Sequence, residues 1–272
     1  MDRRLLRGDP GAMRLTDPAA DLGRRVLAEA VGTAMLVAVV VGSGIAAVRL
    51  SPHDAGLELL ENSLITALGL GTLILAFGPV SGAHLNPAVS VADWVLGRGT
   101  GSGLTGREVG AYTLAQCTGA IGGAVLANGM FGVGLVTFSG HDRSDHHLLL
   151  GEVVATAGLV FLIFSLARSG RAAAAPAAVG AYIGAAYWFT SSTSFANPAV
   201  TIGRAFTDTF AGIEPSSVPG FIAAQIVGGA LGLALLVALY PHPERAVSTD
   251  GGQAMREVGI DITTVTPKIL GR

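Results

Sequence analysis

Uncharged apolar stretches recur along the chain at 31–48, 63–77, 109–126, 153–167, 172–189 and 218–239. Crossing a bilayer as a helix takes about 20 mostly apolar residues, a length that polar flanking residues complete for the shorter runs. The pattern predicts six transmembrane helices. Two more apolar stretches, 85–96 and 197–210, are too short to span. Each follows a helix and a short polar, glycine-containing stretch, and each begins with Asn-Pro-Ala-Val or just before it. Asparagine is a good N-cap, and proline is well placed at the first helical position, where its missing N–H would be unpaired anyway. These two stretches are therefore expected to be half-helices that enter the membrane and turn back.

The tetrapeptide belongs to a longer repeat. AEAVGTAMLV around Glu29 is matched by GEVVATAGLV around Glu152, and AQCTGAIGGA around Gln116 by AQIVGGALG around Gln225. SGAHLNPAVSVAD is matched by STSFANPAVTIGR. Each half has three spans, an odd number, so the second copy must cross the membrane upside down. Inverted repeats place a site near the midplane, where broken helices meet. The segments 82–85 and 193–196 before the half-helices are read as extended, with unpaired carbonyls that membrane depth tolerates only along a wet cavity. The expected fold is an all-α membrane protein of six transmembrane helices plus two re-entrant half-helices. Its domains are an N-terminal tail over 1–23, a channel domain over 24–240 (repeats 24–127 and 148–240) and a tail over 241–272.

Half of the 272 residues are hydrophobic, 13% are charged and 39 are glycine, well away from a soluble average. The first 23 residues are basic but lack the apolar core of a cleaved signal, so they read as a tail. Of seventeen lysines and arginines, only Arg49, Arg143 and Arg204 fall on one side of the predicted topology. The positive-inside bias then puts both termini in the cytoplasm. The single cysteine, Cys117, excludes an internal disulfide and a cysteine-rich metal site. The near-neutral charge offers no nucleic-acid surface. The loop HDRSDHH (141–147) reads as solvated rather than metal-binding, and no metal or cofactor is expected.

Acids inside a span are rare and usually face the interior or pair. Glu29 and Glu152, at equivalent places, read as acceptors for N–H groups of the re-entrant loops, with Gln116 and Gln225 bracing the same loops. An ion-coupled transporter would need an acid or histidine in the pore itself. Enzyme chemistry is not expected, because the hydroxyls at 191–194 have no histidine neighbour in sequence.

With both Asn-Pro-Ala boxes and the paired AE/GE and AQ segments in order, the chain resembles the major intrinsic proteins, the aquaporins and aquaglyceroporins, from about Arg24 to Tyr240. The resemblance implies a passive, homotetrameric channel in the cell membrane with one pore per subunit. Asn86, Pro87, Ala88 and Asn197, Pro198, Ala199 would cap the pore, the asparagines donating to a passing solute. Carbonyls of Gly82, Ala83, His84, Thr193, Ser194 and Phe195 would line it, and the two half-helix dipoles would oppose cations. By spacing from the asparagines, the narrow filter would comprise Thr66, Ala185, Ser194 and Val200. The family usually has arginine where this chain has Val200, and its water and glycerol subclasses place histidine or aromatic side chains beside it. The expected filter is thus wide and uncharged. Arg204, one turn further on, would either serve the outer vestibule or pair with Asp208 at the surface; Asp93 mirrors it on the first half-helix.

Beyond Tyr240, QAMREVGIDITTVTPKILGR is similar to an internal segment of arsenate reductases of the low-molecular-mass-phosphatase type, without their nucleophile loop. Together with Val200 this makes the chain resemble the channels of arsenic-resistance operons. Arsenous acid, a small neutral molecule with three hydroxyls, is then the expected cargo, with a functional link to an arsenate reductase. Glycerol, water or another metalloid are the alternatives.

Overall fold

The computed structural model describes residues 18–98 and 103–241. The tail over 1–17 and all but Pro241 of the C-terminal tail, with its reductase-like stretch, lie outside the described residues. Eight α-helices follow in order: α1 (Pro18–Leu50), α2 (Ala55–Ser81), α3 (Pro87–Gly97), α4 (Gly106–Met130), α5 (His146–Arg168), α6 (Ala175–Phe189), α7 (Pro198–Arg204) and α8 (Val218–Leu239). No strand occurs among the described residues. Six of the helices, counting the short 3₁₀ turns that lead into α6 and α8, are long and apolar enough to cross a membrane. The remaining two, α3 and α7, are the short ones that begin with Pro87 and Pro198.

Helix starts follow local chemistry. Asp54 caps α2 by accepting from the Leu57 N–H at 3.0 Å. Thr105 and Glu108 make a reciprocal capping box at the start of α4. α1 begins at Pro18, inside the stretch expected to be tail, and Arg25 ties it to α4 through Glu108 at 2.7 Å and the Tyr112 hydroxyl at 2.9 Å. That hydroxyl donates in turn to the Ser81 carbonyl at 2.9 Å, fixing the end of α2 where the first re-entrant loop begins.

The halves pack alike. α1 lies against α4 and α5 against α8, while α2 and α6 join the two halves. The α1–α4 contact is close because Gly119 and Gly123 present bare backbone to the Ala30 and Ala34 carbonyls. Gly228 and Gly232 of α8 meet the Val153 and Ala157 carbonyls of α5 in the same way. Small residues that let backbones approach are the usual device where lipid removes the hydrophobic drive between helices. Gly123→Val should therefore force α1 and α4 apart at a cost of about 1–3 kcal/mol, the range for overpacking. The expected result is a lower melting temperature in detergent, with Gly122→Val, where a Cβ meets nothing within 4 Å, as the neutral control.

α7 stops at Arg204, short of the expected end near 210. Carbonyls that would continue the helix are taken from outside it. The Arg204 carbonyl accepts from Ile213 N–H, that of Ala205 from Ser139 N–H, and that of Phe206 from Thr137 N–H and the Asn128 amide. The loop between α4 and α5 thus ends α7 after about two turns of 3.6 residues.

Candidate pore

The two re-entrant loops are not extended. Gly82 (φ 87°), Ala83 (47°) and Leu85 (48°) in the first, and Thr193 (61°), Ser194 (51°) and Ala196 (47°) in the second, lie in the left-handed region. Five of these six residues carry a Cβ, and such conformations cost about 1–3 kcal/mol each unless the surroundings impose them. Two buried carboxylates impose them here. Glu29 accepts from His84 N–H (3.0 Å) and the Ser81 hydroxyl (2.6 Å) on one oxygen, and from Leu85 N–H (2.6 Å) and Gln116 Nε2 (2.8 Å) on the other. Glu152 accepts from Phe195 N–H (2.8 Å) on one oxygen, and from Ala196 N–H (2.8 Å) and Gln225 Nε2 (2.6 Å) on the other. Gln116 also reaches Ser90, and Gln225 reaches Thr201, so each glutamine joins loop to half-helix. Both acids are fully buried. The His84 ring bonds the Ser90 hydroxyl at 3.1 Å and stands edge-on to Tyr112.

The half-helices meet N-terminus to N-terminus, and the asparagines cross-link the loops. Asn86 Nδ2 donates to the Ala196 carbonyl at 2.8 Å, and Asn197 Nδ2 to the Leu85 carbonyl at 2.7 Å. Their Oδ1 atoms cap their own helices, Asn86 from Ala88 N–H and Asn197 from Ala199 and Val200 N–H. A carboxamide carries two N–H donors, so each asparagine keeps one beyond its cross-link. The carbonyls of Gly82, Ala83, His84, Ser194 and Phe195 accept no hydrogen bond among the described residues.

These groups border a cavity of about 170 Å³. Along α6 it follows Ala175, Val179, Ile183 and Tyr187, twelve residues and so roughly 18 Å at 1.5 Å per residue. Its wall is largely aliphatic, with Gly82, Ala83, His84, Asn86, Phe195 and Asn197 contributing from the loops. A mostly apolar passage with a few convergent polar groups suits small molecules carrying hydroxyls.

Of the four filter positions expected from spacing, Thr66, Ser194 and Val200 line the cavity. Ala185 does not; it is exposed on the other side of α6, and Tyr187 holds the place instead. The Tyr187 and Thr66 hydroxyls lie 3.3 Å apart. The Ser194 hydroxyl, although buried, has no partner among the described residues. The sequence held a signal for Tyr187, since Ala175, Val179, Ile183 and Tyr187 recur every four residues as one face of a helix, and Ala185 falls off that face. Thr193 is likewise absent from the wall. Asp93 accepts from the Leu104 N–H at 2.8 Å, binding the α3–α4 connection rather than facing the cavity. Arg204 is 2% exposed and lines the cavity, so it is no surface partner of Asp208, which accepts from Gly140 N–H. The expectation of a wide, uncharged ring of four small residues is therefore corrected by Tyr187 and Arg204. The loop 141–147 is pinned down by Asp142, which accepts from Ser144 N–H and the Ser217 hydroxyl.

The family described as Major intrinsic protein matches residues 18–196. Aquaglyceroporin AqpS of Rhizobium meliloti (strain 1021) is 49% identical over 216 residues, covering 79% of this chain and 90% of that protein. The glycerol uptake facilitator protein of Pseudomonas aeruginosa is 32% identical over 260 residues, covering 81% and 90%. Aquaporin AqpM of Methanothermobacter marburgensis is 31% identical over 239 residues, covering 77% and 94%. Among solved structures, the aquaglyceroporin from Plasmodium falciparum shares the fold with a TM-score of 0.59 at 20% identity, covering 80% of this chain and 95% of that one. With its inverted halves, cross-linked asparagines and the cavity beside them, the chain belongs to the major intrinsic protein family, as a membrane channel of the aquaporin and aquaglyceroporin type.

Proposed function

We propose that the chain is a passive, aquaglyceroporin-type channel whose cargo is arsenous acid, with related neutral metalloid hydroxides as further substrates. The observation that carries the reading is Val200 in the cavity wall, at the position where the family resemblance places an arginine. The same wall carries the Thr66 and Tyr187 hydroxyls. A neutral molecule with three hydroxyls can exchange hydrogen bonds with them while its remaining surface meets Leu70, Val179 and Ile183. The reductase-like stretch at the C-terminus supports a link to an enzyme that makes arsenous acid in the cytosol. The fuller reading is a homotetramer in the cell membrane, as the family resemblance implies, with both termini cytoplasmic, an orientation that the distribution of lysine and arginine supports.

Glycerol is the second reading, favoured by Tyr187 in the wall, since aromatic side chains mark the glycerol-type filter. Liposome swelling and arsenic uptake with arsenous acid, glycerol and water separate the two. Arsenous acid is expected to permeate well above protein-free liposomes. Val200→Arg should lower its flux on the order of tenfold, about 1.4 kcal/mol in barrier height, and reduce water flux less. Glycerol passage without arsenous acid passage would end the arsenic reading and leave the channel.

A further inference from the structure

Val200 leaves its turn of α7 without charge, yet a charge stands in the same wall. Arg204 comes four residues later, roughly 6 Å along the helix. Its Nε donates to the Ala211 carbonyl, and its guanidinium sits over the Phe195 ring, 3.4 Å from the centroid. No carboxylate pairs with it among the described residues, and its two terminal nitrogens make no hydrogen bond among them. Guanidinium stays protonated in proteins, so this is a fixed positive charge bordering the cavity. A buried cation normally has a counter-ion; the Glu152 carboxylate lies within electrostatic reach but makes no ion pair with Arg204, which a carbonyl and an aromatic face hold in place instead.

Two further features point the same way. Arg143, from the loop before α5, donates to the neighbouring Gly212 carbonyl at 2.9 Å and lies 5.1 Å from the centroid of the same Phe195 ring. It adds a second positive charge beside that ring, although it does not itself line the cavity. α7 has only seven residues against eleven in α3, which leaves less aligned backbone dipole at this side to oppose cations.

We propose that Arg204 is the cation-excluding group of this channel, so that selection by size and selection by charge occur one helical turn apart. Val200, with Thr66 and Tyr187, sets what fits; Arg204 sets which charge is turned away. The inference rests on the channel reading and is independent of arsenous acid as cargo.

The test compares proteoliposomes of the parent, Arg204→Met, Val200→Leu and the double variant Val200→Arg/Arg204→Met. Proton leak is read with an internal pH dye under a potassium–valinomycin potential, sodium leak with a sodium dye, and glycerol flux by swelling. Arg204→Met should raise ion leak per unit glycerol flux on the order of tenfold, and the double variant should return it near the parent value. Val200→Leu should change the ratio of glycerol to water flux without raising leak. A folded Arg204→Met channel that leaks no more than the parent overturns the proposal. So does a Val200→Leu channel that leaks as much as Arg204→Met. Should Arg204→Met not fold, Arg204→Gln, which keeps a donor for the Ala211 carbonyl, carries the same comparison. A parent that conducts no solute at all would instead overturn the channel reading.

Discussion

Glu152→Gln is expected to cost the protein its fold, not merely a pH response. The carboxylate is fully buried and presents acceptors only, and all three of its partners are donors: Phe195 N–H, Ala196 N–H and Gln225 Nε2. An amide replaces one of the two oxygens with an N–H₂ group. Whichever way it turns, at least one loop N–H then faces another donor. Hydrogen bonds to a charged group contribute about 1.5–3 kcal/mol each, and an orphaned buried donor adds a desolvation cost of about 1–3 kcal/mol. The loop it holds also contains Thr193, Ser194 and Ala196 at positive φ, which would relax once released. A loss of several kcal/mol consumes much of the stability of a domain, about 5–15 kcal/mol. Monodisperse protein in detergent should fall sharply, with a lower melting temperature in whatever survives. Glu29→Gln should behave alike, since Glu29 receives four donors in the mirror loop. A Glu152→Gln protein with normal stability and altered pH dependence of transport would instead revive the ion-coupled transporter.

Asn197→Asp is the second large effect, and it separates capping from conduction. Aspartate keeps Oδ1 as acceptor for the Ala199 and Val200 N–H groups, so α7 should retain its start. It loses the donor that reaches the Leu85 carbonyl at 2.7 Å and sets oxygen against oxygen across the join of the two loops. It also places a negative charge where the half-helices meet, and an acid at membrane depth costs about 2.5–3.5 kcal/mol. The expected outcome is a folded but less stable channel whose glycerol flux falls on the order of tenfold and whose sodium leak rises. Asn197→Asp that conducted glycerol like the parent and excluded sodium would show that the cross-link does not shape the pore.

Much of this was legible because the repeat states it twice. Glu29 with Gln116 and Glu152 with Gln225 were identifiable from their matching contexts alone, and each pair converges on one loop. Asn-Pro at the start of each half-helix follows from capping and from the missing proline N–H, which are local matters. The loop conformation was not legible. Ala83, Leu85, Thr193, Ser194 and Ala196 are residues that do not favour positive φ. They adopt it in loops whose N–H groups at His84, Leu85, Phe195 and Ala196 are collected by a glutamate from another helix, while the Ser81 and Ser192 hydroxyls take those of Ala83 and Ser194. The end of α7 was hidden for a similar reason. Residues 205–210 were read as continuing the helix, but segments 60 or more positions earlier claim the Ala205 and Phe206 carbonyls.

The filter divides along the same line. Sequence by itself determined the membrane class, the six spans, the inverted halves and the two capped half-helices, because hydrophobic length, repeat order and capping act over short distances. It also placed a valine where a charge was expected. Only the tertiary structure decided what surrounds that valine. A helix turns about 100° per residue, so a two-residue offset in counting back across the loop exchanges Tyr187 in the wall for Ala185 on the far side. Arg204 has Asp208 as its neighbour in sequence, but the end of α7 turns its guanidinium inward, to the Ala211 carbonyl and the Phe195 ring. Which side chains share the pore is a matter of helix phase and of contacts between distant segments, and these exist only once the two halves have packed together.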